Sequence, residues 1–159
     1  MNKTTVKKMT AAARKIIKSA ARVDKRSGRN TALLYTVDGR SVVCDSYRAL
    51  RYPADLPDLP HAEYNDFGRS AAALMDHDLK GCTVSVPLPS VDSIKQAISE
   101  KQKHIPLGPV HVNPKYLLDM VQAIPDADAR INPRRGDISP IYFRDIDGAD
   151  GLLMPVRVG

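Results

Sequence analysis

The sequence predicts an α+β domain, with helices laid against antiparallel strands. Three observations carry this. Near the N-terminus apolar residues recur at three- and four-residue steps. Apolar, β-branched runs flank the Asp-Gly dipeptides at 38–39 and 147–148, which mark turns between strands. The stretch NPKYLLDMVQAIP, residues 113–125, carries helix signals at both ends. With 159 residues, one domain is expected. Apolar residues make up 43% of the chain, but there is no Trp and aromatic content is 5%, so the core must be Leu, Ile, Val, Ala and Met. Twelve prolines and nine glycines imply many ordered loops rather than a plain helix bundle.

Residues 4–22 form the first helix. Val6, Met9, Ala13, Ile16, Ile17 and Ala20 make its apolar stripe. Lys7, Arg14, Lys18 and Arg22 occupy another face, flanked by Lys8 and Lys15. Two readings of this face stand: a solvated amphipathic surface, and a surface that attracts nucleic-acid phosphates. An Ala-rich apolar stripe without aromatic anchors does not suit a membrane surface. Residues 31–36 and 41–44 are the strands of a hairpin around Asp38-Gly39, and SYRAL, residues 46–50, follows. Residues 52–67, with Pro53, Pro57 and Pro60, read as a surface loop. Residues 69–77 suit a short helix. Residues 82–88 suit a strand that Pro87 and Pro89 confine to an edge.

Ser90 caps a helix reaching Lys103, with Val91, Ile94, Ala97 and Ile98 inward. Val110–Val112 is a strand. Asn113 then caps the clearest helix, Pro114 fits its first position and Pro125 stops it. Strands follow at 129–132, 140–144 and 151–158. The last, GLLMPVRVG, is apolar where termini are usually polar, so it is expected to be docked. There is no strict repeat, but helix followed by strands occurs early and late, which hints at two related halves.

Charge is uneven. Residues 1–30 hold ten basic side chains and one acid, Asp24, a net +9. The chain totals +6, so the rest sums to −3. An anionic partner for the first helix is the natural inference. Cys44 and Cys82, in strand-like settings with no signal peptide before them, read as reduced core thiols of a cytoplasmic protein. No apolar run is long enough to cross a bilayer, so no membrane partner is expected.

Catalytic patterns are missing. The four histidines lack metal-like spacing. Asp76-His77-Asp78 reads as a solvent-exposed cluster near a helix end, and Asp145 and Asp147 as turn residues. There is no CxxC, Gly-rich phosphate loop or GxSxG elbow. The sequence therefore points to binding, with no catalytic residue, metal or cofactor.

VHVNPKYLLDMVQAI, then DADARINPRRGDISPIYFRDIDG, then GLLMPVRVG, resembles the last domain of the bacterial sliding clamp, the β subunit of DNA polymerase III. The resemblance covers residues 109–159. The basic helix, the hairpin and CDSYRAL are similar to a clamp half-module, whereas 52–108 match poorly and read as an insertion or remodelled region. The resemblance implies one DNA-clamp-like domain over 1–159, with two helices packed on curved antiparallel sheets. It also implies a non-enzymatic, DNA-associated replication accessory protein that tethers partners to DNA. Its DNA-facing residues would be Lys7, Lys8, Arg14, Lys15, Lys18 and Arg22. A groove for replication-type peptides would be formed by Asn113, Tyr116, Ile138, Pro140, Leu152, Met154, Pro155, Val156 and Arg157, with the apolar floor that an extended peptide needs. Clamp chains carry several such domains and this one has room for one, so a ring would require a homo-oligomer. Ser46, Tyr47 and Arg48 of one copy would then face residues 154–157 of another as a second groove wall. Such a short chain suits a phage or mobile element. The alternative is a peptide-binding interaction module that does not engage DNA.

Overall fold

The first helix outruns its apolar stripe. α1 spans Lys3–Ser27 and ends at Gly28, whose φ of 71° suits a helix C-terminus. In this computed structural model, residues 3–28, 31–53, 56, 59–62, 66–145 and 148–158 are described, with only the backbone for 5, 61–62 and 66–68. Met9, Ala13, Ile16 and Ala20 of the stripe are buried, Ala12 joins them, and Val6 and Ile17 pack at the margin. Asp24 accepts hydrogen bonds from the backbone N–H groups of Thr31 (2.6 Å) and Ala32 (2.8 Å). It thereby holds these two residues outside the sheet, so the first strand starts later than residue 31.

β1 (Leu34–Val37) and β2 (Arg40–Cys44) form the expected hairpin. Asp38 and Gly39 both take positive φ, 51° and 74°, as a tight turn of the strands' own twist requires. A second turn leads to β3 (Arg48–Tyr52). There the Asp45 carboxylate accepts from the N–H groups of Tyr47 and Arg48, each at 2.8 Å.

Residues 52–108 are woven into the domain. Tyr52 closes β3 and is buried, and so is Leu56 between the prolines. β4 (His61–Ala62) adds to the sheet, and α2 begins at Asp66 and runs to Gly81. These features correct the surface loop expected at 52–67, where the remaining positions, 54–55, 57–58 and 63–65, lie outside the described residues. They also extend the helix expected at 69–77. β5 (Val84–Ser85) is the predicted edge strand. α3 (Val91–Ser99) is capped by the Ser90 hydroxyl, which accepts from Ser93 N–H at 3.1 Å. It stops short of Lys103 because Lys101 turns out of the helix at φ 59°. β6 (Ile105–Leu107) then pairs with β7 (Val110–Val112) in a separate ribbon. Pro106 points outward between buried Ile105 and Leu107, which hid this strand in the sequence.

α4 (Pro114–Ala123) is capped by Asn113, which accepts from Lys115 N–H at 2.9 Å. β8 (Asp128–Ile131), a single 3-10 turn at Gly136–Ile138, β9 (Ile141–Arg144) and β10 (Asp150–Leu153) complete the chain. The last strand was expected to reach Val158 and stops at Leu153. Pro155 has no N–H for a ladder. The tail is nonetheless docked: Met154 N–H donates to Tyr47 O and Val156 N–H to His111 O, both at 2.8 Å.

The main sheet runs β4-β1-β2-β3-β10-β9-β8-β5, antiparallel except for the parallel β4–β1 pair. Helix then three-stranded meander occurs twice, as α1-β1-β2-β3 and α4-β8-β9-β10, and the two meanders join through their last strands. Side chains alternate across the sheet. Val43, Leu50, Phe143 and Leu153 meet the helices α1, α3 and α4, whereas Cys44, Ala49, Tyr142 and Leu152 meet Met75 of α2. Both cysteines are free and buried, as expected of core thiols. Among the described residues no helix is long and apolar enough to cross a membrane.

Candidate functional site

α1 and α4 pack side by side. Lys7, Lys8, Arg14, Lys15, Lys18 and Arg22 are all exposed on α1. Asp24, the one acid of that helix, is bound to Thr31 and Ala32 and so does not sit among them. Only Lys15 of the six has a salt bridge within the described residues, to Asp119 of α4 at 2.8 Å. At about 37 Å for 25 residues, α1 is long enough to follow roughly one turn of duplex DNA.

Asp119 links this face to the turn before β3. Its second oxygen accepts from Arg48 Nη1 at 2.5 Å. The Arg48 side chain is buried, with Nε lying 3.4 Å from Asp45 Oδ2 and its guanidinium 4.5 Å from the centre of the Tyr116 ring. Tyr116 in turn stacks on Tyr47, ring centres 5.3 Å apart at 25°. Burial first, then the Asp45 charge, raises the pKa of Tyr116, while Arg48 and Arg22 pull the other way. The basic face is joined to the aromatic pair through Lys15, Asp119 and Arg48, whose guanidinium lies over the Tyr116 ring.

The expected groove residues divide. Ser46, Arg48, Leu152 and Met154 line one cleft of about 250 Å³, together with Leu74 of α2. Tyr47 and Tyr116 stack on each other and are not among the residues that line it. Leu152 is itself buried against α2, so it forms the back of this cleft. Pro155 and Val156 are half-buried in the docked tail and Arg157 is exposed. Asn113 opens instead on a separate cleft of about 320 Å³ with Lys101, Lys103 and Lys115. Ile138 is exposed on the 3-10 turn, and the buried Pro140 accepts at its carbonyl from Ser139. The contact between Ser46–Arg48 and the tail, expected between two copies, is made within one chain through Tyr47 O and Met154 N–H.

Asp76-His77-Asp78 is not wholly exposed. His77 is, but Asp78 is buried beside Arg135. Asp76 bonds Arg51. Asp147 lies outside the described residues. Among the described residues no group of three or more His, Cys, Asp or Glu could hold a metal ion. Burial raises the pKa of the Cys44 thiol at the cleft to about 12, with Asp45 adding to the shift, so it stays protonated and unreactive near neutral pH. Asp45 and Asp119 were not anticipated as site residues. Asp119 lies three residues after Tyr116, on the same helix face, and that spacing was its only signal.

Comparison with known protein families, with curated proteins and with solved structures gives no match.

Proposed function

We propose that this chain is a clamp-like, non-enzymatic accessory protein of DNA replication that associates with the DNA backbone and tethers partners to it. The observation that carries the reading is the face of six exposed cations on one unbroken helix, with the helix's only acid engaged elsewhere. Backbone-directed cations give non-specific, salt-sensitive binding, which suits a protein that must hold DNA without reading it. Support also comes from the doubled helix-plus-meander arrangement, which lays α1 and α4 side by side on one sheet face. The test is the salt dependence of duplex binding by wild type and by a variant with Lys7, Arg14, Lys18 and Arg22 all changed to Ala. The log–log slope should fall by about 0.9 for each phosphate that the variant no longer neutralises. An unchanged slope would refute the role of α1.

The second reading is a peptide-binding module that ignores DNA. The cleft with half-exposed Leu74 and Met154 favours it. Under that reading the same quadruple variant keeps its partner and wild type shows no DNA binding.

A further inference from the structure

Aromatic side chains are scarce in this chain, and four of the six whose side chains are described are buried. Tyr35, Tyr52, Tyr142 and Phe143 lie in the core. Tyr47 is different: it is 47% exposed, on a turn between strands. An exposed tyrosine on a turn would ordinarily sample several rotamers. Here one side of the ring is stacked on Tyr116, and Tyr116 is held by the Arg48 guanidinium. The backbone beneath is fixed as well. Asp45 bonds the Tyr47 N–H, and the tail's Met154 N–H bonds the Tyr47 carbonyl. A flat, pre-ordered ring therefore faces solvent, and a ligand that stacks on it loses little entropy in ordering it.

The charges around the platform favour an anionic, planar ligand. Lys15 of α1 reaches Asp119, which also binds Arg48, and the Arg48 guanidinium lies over the Tyr116 ring. The two nearby acids are both engaged: Asp119 by Lys15 and Arg48, Asp45 by the turn and Arg48. Bases stack on aromatic rings whatever their identity, and adjacent cations hold the phosphates. A base inside a duplex has no free face to offer. We infer that Tyr47 and Tyr116 form a base-stacking site for unpaired DNA at the end of the α1 basic face, so that the protein favours single-stranded over duplex segments. This deepens the DNA-binding reading of α1 and rests on it.

The test uses the full chain with a labelled poly-dT oligonucleotide and with a duplex of equal phosphate count, by fluorescence anisotropy at several salt concentrations. Wild type should bind poly-dT more tightly than the duplex. Tyr47→Ala should weaken poly-dT binding about 5- to 100-fold, leave duplex binding unchanged and leave the salt slope unchanged. Tyr47→Phe keeps the ring and should bind as wild type does, which separates loss of stacking from damage to the turn. Equal poly-dT binding by Tyr47→Ala and wild type would overturn the site. So would a duplex preference in wild type. If Tyr47→Ala instead lost only a short Leu- and Phe-rich peptide and kept poly-dT, the patch would belong to a protein partner and the proposal would fall. Duplex binding with an α1-dependent slope but a silent Tyr47→Ala removes the stacking site alone. Absence of binding to either DNA removes the α1 reading with it.

Discussion

At the residue scale, one buried charge pair fastens the middle of the sheet. Arg51 on β3 is 3% exposed and donates from Nε and Nη2 to the two oxygens of Asp150 on β10, at 2.9 and 2.6 Å. The Tyr142 hydroxyl adds a third donor to Asp150 at 2.7 Å, and Arg51 Nη1 reaches Asp76 of α2 at 2.7 Å. Every strong group in this network has a partner, as a low-dielectric interior demands. Arg51→Met should leave Asp150 buried without its counter-charge and cost about 3–5 kcal/mol in urea unfolding. Asp76→Ala should cost under about 1 kcal/mol, because that carboxylate is 60% exposed. Equal destabilisation by the two variants would contradict this account. Nothing in the sequence announces the pair. Arg51 and Asp150 stand 99 residues apart, and each reads alone as an ordinary surface charge.

At the element scale, α4 presses closely on β10, and Gly151 makes that approach possible. A Cβ there would lie 2.4 Å from Met120 Cε and 3.2 Å from the carbonyl oxygen of Ala49. Met120 has a flexible end, but the Ala49 carbonyl belongs to the neighbouring strand. Gly151→Ala should therefore destabilise the fold by about 1–3 kcal/mol, read from the denaturation midpoint. An unmoved midpoint would show that α4 is free to shift. Elements governed by local signals were legible: α1 from its stripe, the β1–β2 hairpin from Asp38-Gly39, and α4 from Asn113, Pro114 and Pro125. Those governed by partners far along the chain were not. β4 is two residues long and exists by pairing with β1, β6 hides behind Pro106, and the tail leaves the ladder at Pro155. The span of α2 was underread because its apolar packing, chiefly Met75 with Cys44 and Leu152, is made to the far side of the sheet.

At the scale of the whole molecule, two helix-and-meander units share one sheet, and residues 52–108 extend it at both ends and cover its other face. The exposed cations of α1 were legible because a 3.6-residue period separates buried from solvated positions unambiguously. The residues expected to share a groove come together only in part. Met154 and Tyr47 do meet, but in one chain, because the turn before β3 and the end of β10 lie on neighbouring strands. The central claim remains the proposed engagement of DNA by α1. Sedimentation of wild type and the quadruple Ala variant with circular DNA, at low and at moderate salt, tests it most directly. The account predicts that wild type travels with DNA at low salt and is released as salt rises, while a smaller share of the variant travels with DNA at low salt. Wild type sedimenting as free protein under both conditions would contradict it.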